Sequence, residues 1–297
     1  MFRSYTDARN QYGKLTQDTA AANLTLGDML INEGTEDLLG DLDWWFLETS
    51  VTRTTVASQS NYKLAHDHDK ILGLTVTVSS TVYTPDEVSS REEWDTLQLT
   101  TTTSDIPSKF FVFGDEVHIW PTPASSSNSV TIYYKKNVAE LSQADYTTGT
   151  VTAIANGATT LTASGTTFID AMIGRYIRIP PDDGDNEWYK IASITSTTVL
   201  ELDVAYTGTT ISGGTASYTI GEMSVLPQKY QLAPIRYAVR EYWLLQDNPS
   251  RADRHDVYYE KKKTQMRRDQ GNRSVHMGVV PVGLGMINPN LTVSSIG

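Results

Sequence analysis

Thr147-Thr148-Gly149-Thr150-Val151-Thr152-Ala153-Ile154 opens a stretch, ending at Gly221, that is rich in threonine, glycine, serine and short aliphatic runs. The sequence on either side reads differently. Residues up to about Ala144 carry helical patterning followed by an irregular β region, and helical patterning returns at Leu226 and runs to about Asp269. This predicts an α+β fold with a core of about four helices and an irregular β region, residues 1–146 and 222–269. An inserted all-β domain, a small barrel or sandwich over residues 147–221, would split that core. Residues 270–297 would form an extended C-terminal arm.

Inside the insert, Val151–Ile154, Thr159–Ala163, Tyr176–Ile179, Glu187–Ile194, Val199–Val204 and Ala216–Ile220 read as six strands. A faint duplication runs through them. Val151-x-x-Ile154 recurs as Ile191-x-x-Ile194, and Gly165-Thr166-Thr167-Phe168 recurs as Gly208-Thr209-Thr210-Ile211. Two paired halves would leave few open sheet edges.

Before the insert, Ser4 and Asp7 resemble a capping box ahead of a Tyr5, Ala8, Tyr12, Leu15 stripe, which predicts a helix ending near Thr16. Thr25 with Asp28 repeats the signal for a second helix, with Leu26, Met29, Leu30, Leu38, Leu42 and Trp45 as its apolar contacts. Gly34 and Gly40 predict a break between them. Strands are expected at Thr52–Ser58, Ile71–Ser80, Leu97–Thr101, Phe110–Phe113, Glu116–Trp120 and Val130–Tyr134, with a hairpin turn at Phe113-Gly114-Asp115-Glu116. After the insert, Leu232, Ile235, Val239, Tyr242 and Trp243 form a core stripe, with Pro234 in the first turn. Ser250 and Asp253 open a last, mostly charged helix that would pack through Val257, Tyr258 and Met266. Trp44, Trp45, Trp120 and Trp243 are the expected core anchors.

The 297 residues hold 24 Lys/Arg against 35 Asp/Glu, a formal net charge of −11, which argues against binding nucleic acid through its phosphates. There is no cysteine, so neither disulfides nor thiolate metal sites exist, in keeping with a reducing cytosol during folding. The opening residues lack an apolar signal region and no run of 18 apolar residues occurs, so neither secretion by a signal peptide nor membrane spanning is expected. Charge is uneven. Residues 226–273 hold eleven basic and six acidic side chains, a net of +5, which leaves −16 for the remainder. The basic stretch includes Arg251, Arg254, Lys261, Lys262, Lys263, Arg267 and Arg268, a candidate contact with the acidic face of a neighbouring copy, though a solvated face would look the same.

The arm has no acidic residue and one arginine, Arg273. Its scattered apolar residues, Val275, Met277, Val279, Val280, Val282, Leu284, Met286, Ile287, Leu291 and Val293, are too sparse for a core and too many for a solvating tail. They suit ordering by a partner.

Three constellations could carry chemistry. His66-Asp67-His68-Asp69 could present two imidazoles on one strand face, but no third ligand follows by spacing, and it reads as a polar turn. Pro181-Asp182-Asp183-Gly184-Asp185-Asn186-Glu187 lacks the spacing of a calcium loop and reads as a solvated hairpin loop. The same carboxylates do not form the opposed pair that glycoside hydrolysis needs. Lys261-Lys262-Lys263 with Arg267 and Arg268 could meet DNA phosphate, but on an acidic chain they read as a solvated face or a contact with an acidic protein neighbour. Apart from these three, Trp188, Tyr189 and Tyr206 would be a glycan-binding platform if exposed and hairpin core if buried. With no nucleotide loop, nucleophile elbow or zinc-helix motif, the expectation is a protein that is not an enzyme and has no cofactor.

Several short signatures together resemble the head-to-tail connector (adaptor) proteins of tailed bacteriophages. They are the opening helix, Leu42-Asp43-Trp44-Trp45-Phe46, Arg53-Thr54-Thr55, Trp94-Asp95-Thr96-Leu97 and Ile106-Pro107-Ser108-Lys109-Phe110-Phe111. The set continues with Gly114-Asp115-Glu116-Val117-His118-Ile119-Trp120-Pro121, Ile132-Tyr133-Tyr134-Lys135 and Leu226-Pro227-Gln228-Lys229-Tyr230. The insert, at Met172-Ile173-Gly174-Arg175-Tyr176, is similar to small β modules of phage structural proteins. The resemblance implies a homo-oligomeric ring, about twelvefold, in the virion neck after assembly in the host cytoplasm. Portal protein and tail, nozzle or stopper proteins would be its partners. DNA would pass through the lumen without specific binding, and the arm would dock on portal. A virion-surface, glycan-binding protein that uses the insert is the alternative.

Overall fold

Ser4 starts the first helix in the manner its spacing predicts. Its Oγ accepts from the Asp7 N–H at 3.2 Å, and the Asp7 carboxylate accepts from the Ser4 N–H at 3.4 Å. The computed structural model describes residues 3–100 and 102–278. These residues divide into two units, Met1–Leu42 with Glu140–Gly297 and, separately, Asp43–Ala139. The architecture is α+β.

In the first unit, α1 (Tyr5–Thr16) buries Tyr5, Ala8 and Tyr12. A polar network fixes the turn to α2 (Ala21–Leu39): the Tyr12 hydroxyl donates to Asn23 Oδ1 at 2.9 Å, and Asn23 Nδ2 donates to Thr16 Oγ1 at 3.2 Å. Thr25 is therefore not a cap but an interior residue, its Oγ1 bonded back to the Ala21 carbonyl. The break expected between Gly34 and Gly40 is also absent, α2 running on to Leu39. A Cβ on Gly34 would lie 2.8 Å from Tyr237 and one on Gly27 would lie 2.4 Å from the Tyr12 ring. Both glycines are thus sites of close approach on one continuous helix face. Leu30, Ile31 and Leu38 fill that face, whereas Met29 and Leu42, expected in the core, are exposed.

The second unit begins at the aromatic cluster. Trp44 is 1% exposed, but Trp45 opens a short 3-10 turn and is 37% exposed, so only the first of the pair is a core anchor. Strands β1 (Glu48–Thr54), β2 (Asn61–Lys63), β3 (His68–Val78), β4 (Thr81–Tyr83) and β5 (Asp86–Glu87) follow. After α3 (Arg91–Gln98) come β6 (Lys109–Phe113), β7 (Glu116–Trp120) and β8 (Ser129–Lys136). They form two sheets, β1-β8-β3-β4 and β2-β7-β6-β5. Alternate residues, among them Leu74, Val76, Val130 and Ile132 of the first and Tyr62, Phe110, Val117 and Ile119 of the second, share one core. Gly114 holds φ +63° in the β6–β7 hairpin turn. Trp120 is half-buried. Of the strand expected at Leu97–Thr101, the described residues 97–100 are helix end and turn instead, because Ser90 caps α3 through the Glu93 N–H, Arg91 pairs with Asp95 at 2.8 Å, and Trp94 is buried against Phe111.

Back in the first unit, β9 (Thr150–Ile154), β10 (Thr160–Ser164), β11 (Tyr176–Arg178), β12 (Trp188–Ser196) and β13 (Val199–Leu202) lie close to their expected positions. The last expected strand is instead the end of β14 (Ile211–Ala216), a break, and β15 (Thr219–Gly221). All pair antiparallel in the order β14-β9-β10-β13-β12-β11-β15, a single curled sheet with β14 and β15 at its edges. The duplication is visible in that order: hairpins β9–β10 and β12–β13 meet back to back through β10 and β13. Val151 and Ile154 of one half and Ile191 of the other reach the same core, with Phe168, Tyr206 and Ile220.

Helix α4 (Ala233–Leu245) has Pro234 in its first turn and presents Ile235, Ala238 and Val239 to Tyr12, Leu30 and Ile31. Helix α5 (Pro249–Gly278) buries Ala252, His255, Tyr259 and Met266. Of the three expected packing residues Met266 is buried and Tyr258 half-buried, but Val257 is exposed, since it stands on the opposite side of the helix from Tyr259. The helix passes its expected end at Asp269, so Val275 and Met277 stand on helix and not on an extended arm. Val279, Val280, Val282, Leu284, Met286, Ile287, Leu291 and Val293 lie outside the described residues.

Two glycine substitutions separate close packing from helix propensity. Gly34→Ala is expected to destabilise by about 1–3 kcal/mol through overpacking against Tyr237. Gly271→Ala, on α5 with nothing within 4 Å, is expected to stabilise by about 0.5–1 kcal/mol. Denaturant unfolding checks both signs.

Candidate assembly site

The basic stretch does two different things. Asp37 and Asp41, one turn apart on and just beyond α2, meet Lys263 and Arg267, one turn apart on α5. Lys263 Nζ donates to Asp37 at 2.7 Å, and the Arg267 fork donates to Asp41 at 2.5 and 2.6 Å. The buried Tyr259 hydroxyl also donates to Asp37. Burial pushes the Asp37 carboxyl up, but hydrogen bonds from Lys263 and Tyr259 and the charges of Lys263 and Arg240 outweigh it and leave it below the usual range. The bond from Arg267 lowers Asp41 in the same direction. Arg240 braces α4 on α5 by donating to Asp256 at 2.8 Å while lying over the Tyr237 ring. These contacts hold α2, α4 and α5 as one bundle.

The remaining cations of α5 lie elsewhere. Arg251 lies 4.4 Å over the half-buried Trp243 ring, and Lys262 donates to Gln265 beside Tyr258. Arg254, Lys261 and Arg268 are exposed and make no ion pair among the described residues.

A second cluster ties the helices to the seven-stranded sheet where the chain enters and leaves it. Ser4 Oγ donates to Asp145 at 2.9 Å, the Tyr5 N–H donates to the Glu222 carbonyl, and the Glu222 carboxylate accepts from the Ser142 and Gln143 N–H groups at 2.7 Å each. Arg175 Nη2 donates to the Ala144 and Ile220 carbonyls. Burial raises Asp145, with the Ser4 and Thr6 bonds pulling it part of the way back. Gly221 sits in the knot, where a Cβ would meet Ser4 at 2.7 Å. A cleft of about 530 Å³ near α1 is lined by Arg3, Asp7, Asn10, Gln11, Lys14, Gln228 and Lys229; Lys229 is bridged to Asp269.

A family model described as SU10 adaptor protein matches residues 3–159, more than half of the chain. The chain belongs to the SU10 adaptor protein family. This is a phage head–tail adaptor family, so the protein is a structural component of a phage virion. The match spans α1, α2, the whole Asp43–Ala139 unit and β9, and it stops before β10. No curated protein matches the chain.

The other sequence-derived candidates occupy structural places in this adaptor. His66 and Asp67 form a turn, with His68 Nδ1 2.7 Å from the Ala65 carbonyl and Asp67 accepting from Tyr134. In the loop between β11 and β12, Asp185 accepts from the Tyr189 and Thr207 hydroxyls and Asp183 from the Ser217 N–H and Oγ, so two of its carboxylates are clamps. The aromatic platform is not formed. Tyr189 and Tyr206 are buried, and the half-buried Trp188 ring is covered by Arg178 at 4.6 Å. No helix is long and apolar enough to cross a membrane among the described residues.

Asp37, Asp41, Asp145, Arg175 and Glu222 were not singled out in the sequence. The matched i, i+4 spacing of Asp37/Asp41 and Lys263/Arg267 is a signal that could have found the first two. Asp37→Ala strands the buried Tyr259 hydroxyl and is expected to cost about 1–3 kcal/mol at neutral pH. Because the Asp37 carboxyl is depressed in the folded protein, its contribution is present above about pH 4 and fades as pH falls through its folded value. The gap in melting temperature between Asp37→Ala and the unaltered protein should therefore narrow on acidification below pH 4.

Proposed function

We propose that this adaptor forms a closed ring of about twelve copies in the virion neck, between portal and tail, around the channel through which DNA leaves. Membership of the head–tail adaptor family is the observation that carries this reading. Charge supports it. A chain of net charge −11 presents DNA with a surface that does not hold it, so a lumen built from such chains lets the polymer slide. The exposed cations of α5, Arg254, Lys261 and Arg268, give each copy a basic strip to set against an acidic neighbour. The apolar segment 279–297 is the portal-docking arm, and Val275 and Met277 at the end of α5 lead into it. Tail, nozzle or stopper proteins take the opposite side of the ring. The burial of Tyr189 and Tyr206 works against the glycan-binding alternative.

Mixing the purified protein with its portal and measuring particle mass and negative-stain shape tests the reading. A coaxial ring adding about twelve copies is the expected result, and a monomer that ignores portal contradicts it. Deletion of residues 279–297 should leave the unfolding transition of the described fold in place while abolishing portal binding. Normal portal binding by the shortened chain would remove the arm from this account.

A further inference from the structure

Two exposed helix stripes in the same unit complement each other without touching. Along α5, Arg254, Val257, Lys261, Thr264 and Arg268 recur at three- and four-residue steps, and every one is exposed. The buried residues Ala252, His255, Tyr259 and Met266 lie on the opposite side of the helix. Val257 is 69% exposed in the middle of this stripe. Along α2, Thr25, Met29, Glu33 and Glu36 form a stripe of the same kind, opposite Gly27, Gly34 and Leu38. Met29 is 59% exposed, and α2 contains no basic residue. Neither Glu33 nor Glu36 makes an ion pair among the described residues.

The two stripes are not the surfaces by which α2 and α5 meet within the chain. That meeting is made by Asp37 and Asp41 with Tyr259, Lys263 and Arg267, none of which belongs to either stripe. Met29 is followed by the carboxylates Glu33 and Glu36, and Val257 lies between Arg254 and Lys261, with the exposed acids Asp253 and Glu260 on its other flank. An apolar residue beside carboxylates on one helix and beside cations on the other is the pattern of a heterologous contact between identical copies.

Register points the same way. Within the chain α2 and α5 run in the same direction, because Lys263 meets Asp37 and Arg267 meets Asp41, each pair 226 positions apart. Setting Met29 of one copy against Val257 of the next also sets Glu33 beside Lys261, with Glu36 one turn further on. That alignment differs from the internal one by only two residues, about 3 Å of helix rise. A contact between copies with so little axial displacement closes on itself more readily than it climbs into a filament.

We infer that the ring interface is a parallel helix pair, the Met29–Glu33–Glu36 stripe of α2 in one copy against the Val257–Lys261 stripe of α5 in the next. Arg254 and Arg268 flank the contact. The inference rests on the ring reading above and names the surface by which the ring closes.

The absence of native cysteine gives a clean test. The full-length Met29→Cys/Val257→Cys chain is assembled under the conditions used for the unaltered protein, with portal, and then oxidised. Vicinal helix contacts bring the two positions within disulfide reach, so a reducible ladder of covalent multimers is expected, with no ladder from either single variant. A ring of normal mass without covalent multimers overturns the interface and leaves the ring reading standing. Failure of the unaltered protein to form any ring overturns both. As a second readout, Lys261→Glu should weaken association by about tenfold, as expected for a like-charge contact, and Glu33→Lys in the same chain should restore it. Undiminished assembly of Lys261→Glu, like a failure of Glu33→Lys to rescue, counts against the pairing.

Discussion

The helical unit depends on how closely α2 can be approached. Gly27 and Gly34, two turns apart on one face, leave no side chain between α2 and the rings of Tyr12 and Tyr237. A methyl group at either position would have to displace an aromatic ring in a packed interior, where little space is free. With α1 and α4 seated this closely, the rotation of α2 about its axis is set. The same rotation brings Asp37 and Asp41 to Lys263 and Arg267 and turns Met29, Glu33 and Glu36 outward. Internal packing and the outer surface are thus consequences of one constraint.

Helix α5 divides its cations between two duties. Lys263 and Arg267 are consumed inside the chain by carboxylates whose affinity for protons they lower. Arg254, Lys261 and Arg268 remain exposed, each two turns from the next. A charged helix on an acidic protein is in this way both a brace and a surface. The seven-stranded sheet is tied to the helices by a different device, the half-buried polar knot of Ser4, Asp145, Arg175 and the Glu222 carboxylate. Its bonds reach the N-terminal helix cap, the segment 142–145 that leads into the sheet and the exit strand β15 together, so the sheet's anchorage and the start of α1 share groups.

Much of this fold was legible where local chemistry and tertiary packing agree. The Ser4 capping box, the Glu116–Trp120 strand, the positive-φ Gly114 turn and the Ile235/Val239 stripe all follow from residue type and spacing. The misreadings have physical causes. Leu97 and Thr100 suggested a strand, yet Ser90 with Glu93 had already capped a helix that takes in Leu97 and ends at Gln98, just ahead of Thr100. Gly34 and Gly40 suggested a break between them because propensity alone cannot report that Tyr237 needs the space at Gly34 and that Gly40 is the end of the helix. Trp45 and Val257 were assigned to the core by hydropathy; Trp45 stands in a 3-10 turn beyond α2, where the helix spacing does not carry over, and Val257 is two residues from the buried Tyr259 and so on the opposite side of α5. The candidate assembly site was half legible. The basic stretch was recognised, but the division between braced and free cations required knowing which side of α5 meets α2.

The central claim is that this chain is a ring-forming neck adaptor. Electron cryomicroscopy of the intact virion tests it most directly. The account predicts density for the chain between portal and tail, repeated about the channel axis, with α2 of each copy beside α5 of the next. Density for the chain elsewhere on the virion, or copies at the neck that share no helical contact, would contradict it.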